Sequence, residues 1–339
     1  RLIDLYSNLG YIAEQQDSTV LSITWNQHAL DVAHRHLAFG HENTINAYTN
    51  HYIYHYQNED AETAVQYADS LEMALKILHH DNPFHDDFLS LNAHKIVLCR
   101  AVGDFEGATN AYLNSIEIQN HQGGESRRLA DLYSNYGVWL REQGDYNKAL
   151  YHFRKALSIR EKQLDSSVGQ KFIARTYNYI GNAYLQKNDL ANAEKYLYIA
   201  LEKRKELKLN RDSELADSYQ DVGKYQEKIG FWKLALKQYQ AALAINKQIY
   251  NTPNIALSEN YYLIGNIYLG QKNYEEAIAY FEKAIKNIQK IYTVPHPETG
   301  NYFRALAAAH INSPRKSQQY LERAFEEVGY YKLGGLTGI

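Results

Sequence analysis

The run HYIYH places His51 and His55 four residues apart, the spacing at which two imidazoles on one helix face can hold a metal ion. No Glu follows His51 in the manner of the HExxH motif, so the catalytic base of that chemistry is missing. His79 with His80 and His34 with His36 are weaker pairs of the same kind. Eleven of the 14 histidines fall before residue 122, which sets the first third of the chain apart as a possible module with its own partner surface. The single cysteine, Cys99, excludes an internal disulfide framework and suits a reducing, cytoplasmic setting. On an apolar face it reads as a small packing residue. No GxSxG, P-loop, dinucleotide fingerprint or CxxC occurs, so no catalytic residue, metal or cofactor is expected.

A different chemistry is suggested by Asn178 and Asn182, also four apart. Asparagine is a poor interior helix residue because its amide competes for backbone hydrogen bonds. Two on one face point to a use for their paired donor and acceptor groups. The net charge of −3 gives no long-range attraction to nucleic acid. Basic stretches such as EKRKELK (202–208) and EKAIKNIQK (282–290) carry nearby acids and read as solvated faces. No apolar run approaches the roughly 18–20 residues of a membrane span. The start, RLIDLYSNLG, is neither a signal peptide nor an initiator Met, so a missing N-terminus is expected.

The elements that position these residues come from self-similarity. YSNYGVWLREQGDYNKALYHFRKAL (133–157), YNYIGNAYLQKNDLANAEKYLYIAL (177–201), YQDVGKYQEKIGFWKLALKQYQAAL (219–243) and YYLIGNIYLGQKNYEEAIAYFEKAI (261–285) align on Gly137, Gly181, Gly223 and Gly265, at spacings of 44, 42 and 42. A tyrosine stands four before each glycine. Ala149, Ala193, Ala235 and Ala277 stand twelve after, and a further alanine nineteen after. Weaker copies carry Gly10 and Ala307 at the anchor, and two degenerate ones carry Tyr52 and Ile96 there. Eight units therefore fill the chain, each read as a helical hairpin with apolar residues at three and four. Glycine on the first helix is expected to face alanines on the second, and each hairpin must stack on its neighbours to bury its apolar side.

The order aromatic, apolar-Gly, aromatic, turn, Ala, aromatic, Ala resembles the tetratricopeptide repeat. The roughly 42-residue period, longer than the usual 34, is similar to the kinesin-light-chain subtype, as are KALSIREKQ (155–163) and HPE (296–298). The resemblance implies an all-α, right-handed α-α superhelix. Its units are one repeat at 1–43, two degenerate repeats at 44–125, four well-formed repeats at 126–299, a shortened repeat at 300–329 and an irregular tail at 330–339. It also implies that first helices line a concave groove gripping a protein or peptide ligand. Positions three before and one after the anchor share the groove face, which assigns Asn178, Asn182, Gln220, Lys224, Tyr262, Asn266 and Arg304 to peptide binding. Amides suit a peptide backbone, and the basic residues suit a carboxylate or phosphate.

The expected function is a non-enzymatic interaction scaffold, with neither nucleic acid nor membrane as partner. The alternative is the sensory or autoinhibitory part of a larger bacterial regulator, joined to a caspase-like protease, a histidine kinase or a transcription-regulating domain. The ends favour that alternative, since GYYKLGGLTGI offers no polar capping helix. An RNA-binding array is the third reading, disfavoured by the charge balance.

Overall fold

A computed structural model describes residues 2–16, 18–57, 60–80, 82–163, 167–208 and 212–337. These residues form sixteen α-helices and no strand. They divide into two compact units, 1–140 and 141–339. The all-α hairpin architecture expected from the repeats is the one observed.

In the first unit α1 (Leu2–Gln15) packs on α2 (Thr19–His36), α3 (Glu42–Gln57) on α4 (Ala61–Leu78), and α5 (Asp86–Val102) on α6 (Phe105–His121). Next comes α7 (Arg127–Glu142), whose Trp139 donates its indole N–H to Thr109 Oγ1 at 3.2 Å and whose Tyr136 meets Tyr112. In the second unit α8 (Tyr146–Gln163) packs on α9 (Ser167–Gln186). The pairs α9 with α10 (Leu190–Glu206), α11 (Ser213–Lys228) with α12 (Trp232–Ile249), α13 (Ile255–Gly270) with α14 (Tyr274–Ile288), and α15 (Pro297–Ala309) with α16 (Pro314–Thr337) follow. Successive first helices also touch: α1 with α3, α9 with α11, α13 with α15.

The hairpin turns are set by backbone chemistry. Seven residues after the anchor, the chain takes a left-handed conformation at Gly103, Gly144, Asn188, Gly230 and Lys272. Glycine and asparagine reach that region at little steric cost. The next residue or so then caps the second helix. Asp60, Asp104, Asp189 and Asn273 each accept a hydrogen bond from the backbone N–H three residues on, satisfying a donor that the first turn leaves without a partner.

The seam differs from the expected one in its partner. A Cβ on Gly181 would lie 2.6 Å from Leu197, on Gly223 2.5 Å from Tyr239, and on Gly265 2.6 Å from Phe281. Each glycine therefore faces the large residue sixteen positions later, not an alanine. The alanines at twelve and nineteen lie one turn either side of that large residue, on the same helix face. Ala193, Ala200, Ala235, Ala242, Ala277 and Ala284 are all fully buried. Gly10 meets the side chain of Asn26 in the same register, and Gly137 is buried in α7.

In α3–α4, one of the two degenerate hairpins of the first unit, the sizes are exchanged. Tyr52 occupies the anchor, and sixteen residues later stands Ala68; both belong to one buried cluster. The large group has moved to the first helix and the small one to the second, which keeps a similar volume in the layer. One further correction concerns the end of the chain. The backbone of α16 remains helical through 330–337, where an irregular tail was expected. No proline interrupts that stretch, so nothing forces it out of the i→i−4 pattern.

Candidate functional site

The residues assigned to the groove lie on α9, α11, α13 and α15 of the second unit. Asn178 Nδ2 donates to Asp221 Oδ2 at 2.6 Å, and Asn182 Nδ2 donates to the same oxygen at 2.7 Å. The two asparagines four apart thus clasp one carboxylate on the first helix of the next pair. Lys224 continues the row one turn beyond the level of Asp221. Its ammonium stands 3.1 Å from Glu259 Oε1 and 3.9 Å from Asp221 Oδ1. At the turn end of the same two helices, Lys228 Nζ donates to the Leu185 carbonyl at 2.8 Å.

Tyr262 rests against Phe281 and Tyr302, with ring centroids 5.9 and 4.9 Å away. Asn266 is half-buried one turn further along α13. Arg304 is exposed and pairs with Asn301, so it stands apart from the Asn178–Lys224 cluster. Of the residues assigned to the groove, Arg304 is exposed and Asn182, Lys224, Tyr262 and Asn266 are half-buried. Asn178 and Gln220 are instead buried, at 8% and 4% exposure. For Asn178 the reason is the neighbouring helix that carries Asp221.

The electrostatics of this face are coupled. Burial pulls the Lys224 ammonium down, but Asp221 and Glu259 outweigh it and leave its pKa above the ordinary lysine value. Asp217, one turn before Asp221, has lost hydration and feels the charges of Asp221 and Glu259, which together push its carboxyl up to about 6. Solvent still reaches the Asp217 side chain. Its hydration is therefore only partly removed, and the like charges are needed to complete the shift. Glu214 loses hydration too, yet Arg175 and Arg204, both hydrogen-bonded to it, hold it below the usual range.

Among the residues assigned to the groove, two carry a buried atom without a hydrogen-bond partner: the Asn178 side-chain oxygen and the Gln220 amide nitrogen. Such groups are uncommon in native interiors and call for an explanation.

Sequence reasoning missed a second set of links. Arg160, Arg204 and Asn246 stand 23 residues after successive anchors, at the ends of second helices, and are almost fully buried. Arg160 bonds Thr176, Arg204 bonds Glu214, and Asn246 Nδ2 donates to Asn260 Oδ1 at 2.8 Å. Each clasp ties one hairpin to the first helix of the next. The shared register was the available signal. The basic stretch 202–208 is accordingly not a wholly solvated face, because Arg204 is an interior ion-pair partner.

In the first unit His51 and His55 stack against Tyr67, at 4.6 and 5.4 Å between ring centroids. His51 is fully buried, and the loss of hydration lowers its pKa to about 4. Cys99 is buried as well, and burial pushes its thiol up to about 11, away from the reactive thiolate.

Stacked helical hairpins with a small anchor, a left-handed turn and a capped second helix define an α-solenoid of the repeat-scaffold class. Tetratricopeptide repeat family models match residues 88–162 and 256–326, and a second such model matches 173–207. The chain belongs to the tetratricopeptide repeat family. A tetratricopeptide repeat protein from Parabacteroides merdae superposes with a TM-score of 0.59 at 14% identity, covering 95% of this chain and 98% of that one. A STAND signal-transduction ATPase from Pyrococcus horikoshii, which carries a tetratricopeptide repeat sensor, gives 0.58 at 16% identity and covers 99% of this chain and 49% of that one. A kinesin light chain protein with nearly identical TPR-like repeats, from Podosopora anserina, gives 0.50 at 15% identity over 61% of this chain and 96% of that one. No curated protein matches the sequence. Among the described residues no helix is long and apolar enough to cross a membrane.

Proposed function

We propose that this chain is a non-enzymatic scaffold that binds an extended peptide or protein segment along the first-helix face of α9, α11 and α13. The observation that carries this reading is that two of the assigned residues hold unpartnered polar atoms, an acceptor on Asn178 and a donor on Gln220. An extended backbone offers an N–H for the first and a C=O for the second. Seating such a chain requires Asp221 to release the Asn178 and Asn182 amides. Lys224 and Arg304 would then take a carboxylate of the ligand, with Tyr262 and Asn266 lining its further course.

The test is the double substitution Asn182→Ala with Lys224→Ala, measured against partners captured by the intact chain. Binding should weaken at least tenfold while the melting temperature falls by only a few degrees. Unfolding of the double variant, or undiminished binding, would refute the assignment.

A second reading is favoured by the STAND ATPase match, in which a comparable array occupies about half of a larger signalling protein. On that reading this array is the sensory part of a larger bacterial regulator. The full open reading frame around the coding sequence distinguishes the two directly.

A further inference from the structure

Three ligand-bearing side chains converge in the first unit, where α4 gives way to α5. His79 is the C-terminal cap of α4, His85 the N-terminal cap of α5, and Asp87 lies in the first turn of α5. His79 Nε2 stands 2.8 Å from Asp87 Oδ2, and His85 Nδ1 stands 3.4 Å from the same oxygen. One donor atom from each of the three lies within 4.8 Å of the others. The two imidazoles are stacked, with centroids 3.5 Å apart. Phe88 presents an edge to His79.

Local structure alone accounts for part of this. His85 Nδ1 accepts the Asp87 backbone N–H, and His79 bonds the Asp87 carboxylate. Those contacts explain each residue singly. Together they bring three metal-ligating side chains to one carboxylate oxygen, and an ion would be taken up by rotating the two stacked rings apart, since an imidazole's lone pair lies in its own plane. Zinc donors lie roughly 2.0–2.2 Å from the ion, so in a tetrahedral site they stand about 3.3 Å apart. Two of the separations here, 2.8 and 3.4 Å, already bracket that value.

The set also has the form of an open site. Two imidazoles and one carboxylate leave a fourth position on a tetrahedral ion for water or another ligand. All three residues line a cavity of about 530 Å³, and His94 lines the same cavity. His79 is largely shielded while His85 and Asp87 are about half exposed, which gives an ion a path in. Nitrogen and oxygen donors of this mix suit zinc and its transition-metal neighbours rather than calcium or magnesium.

We propose that His79, His85 and Asp87 bind one divalent transition-metal ion of the zinc class, pinning the α4–α5 junction. Binding exchanges the His79–Asp87 hydrogen bond and the His85 Nδ1 cap for three metal bonds and would stabilise the first unit by linkage.

The untagged full chain, stripped with chelator, is titrated with Zn²⁺ by calorimetry. One ion should bind per chain and raise the melting temperature. His79→Gln, His85→Gln and Asp87→Asn should each weaken affinity at least about tenfold, the scale already seen for loss of supporting partners. His36→Gln, an exposed histidine elsewhere, should leave it unchanged. Independently of any variant, Co²⁺ added to the native chain should shift and broaden the imidazole proton resonances of His79 and His85 before those of His51. Absence of saturable Zn²⁺ binding, equal affinity in the three variants, or Co²⁺ broadening that spares these two rings would overturn the site.

Discussion

The α3–α4 hairpin of the first unit and the glycine-anchored hairpins of the second solve the same packing problem with opposite assignments of size. In the second unit glycine sits on the first helix, and Leu197, Tyr239 or Phe281 fills the space from the second. In α3–α4 Tyr52 takes the anchor and Ala68 the reciprocal position. What a hairpin seam needs is a combined volume at one level, and which helix supplies it is secondary. A repeat that looks degenerate by its anchor residue can therefore be intact as a packing unit.

The comparison breaks most visibly at Tyr52. Tyr52→Ala would leave a small residue on both sides of the layer, and the resulting cavity should cost about 3–5 kcal/mol, the range for large aromatic truncations. Chemical denaturation followed by circular dichroism would show it. A loss under about 1 kcal/mol would mean the ring is not the filler described here.

The exchange is sharpened at Gly181. Gly181→Tyr alone drives a ring into Leu197 and should destabilise by about 1–3 kcal/mol or more. Adding Leu197→Ala reproduces the Tyr52–Ala68 arrangement and should recover at least half of that loss. If the double variant is no better than the single one, volume at this level is not interchangeable between helices.

The smallest expected effect concerns acid, which acts with opposite sign on a named group in each unit. His51 is held at about 4 against an ordinary 6.5, so its neutral form favours folding above 6.5 and that contribution is lost as pH falls toward 4. Asp217 is raised to about 6, so its contribution is present below the ordinary carboxylate value and lost as pH rises through 6. His152, also lowered to about 4, shares the sign of His51. Between pH 7 and 4.5, His51→Gln should flatten the fall in melting temperature relative to wild type, and Asp217→Asn should steepen it. Matching slopes for both variants would contradict the assignments.

Much of the fold was legible because it rests on few, repeated residues. A glycine at a 42-residue interval, an alanine twelve positions later and a short polar turn specify a helical hairpin and its stacking. The partner across the seam was misjudged. Periodicity shows which residues share a face, but it does not show which row of one helix meets which row of the other. For the same reason Asp221 was invisible as the partner of Asn178 and Asn182. It lies about 40 residues downstream, and only the stacking of α9 on α11 makes the three adjacent. The caps at Asp189 and Asn273 could be read locally, whereas the buried clasps of Arg160, Arg204 and Asn246 needed the register to be followed beyond the small residues. His85 escaped notice as a partner of His79 because their approach depends on how the α4–α5 connection folds back.

On the proposed function, the clasp formed by Asn178, Asn182 and Asp221 would make recognition and mechanics inseparable in this stretch of the array. Whatever competes for those two amides also loosens the tie between α9 and α11, so occupancy is converted into a change in stiffness between adjacent hairpins. A segment seated there would meet a joint that softens as it is filled.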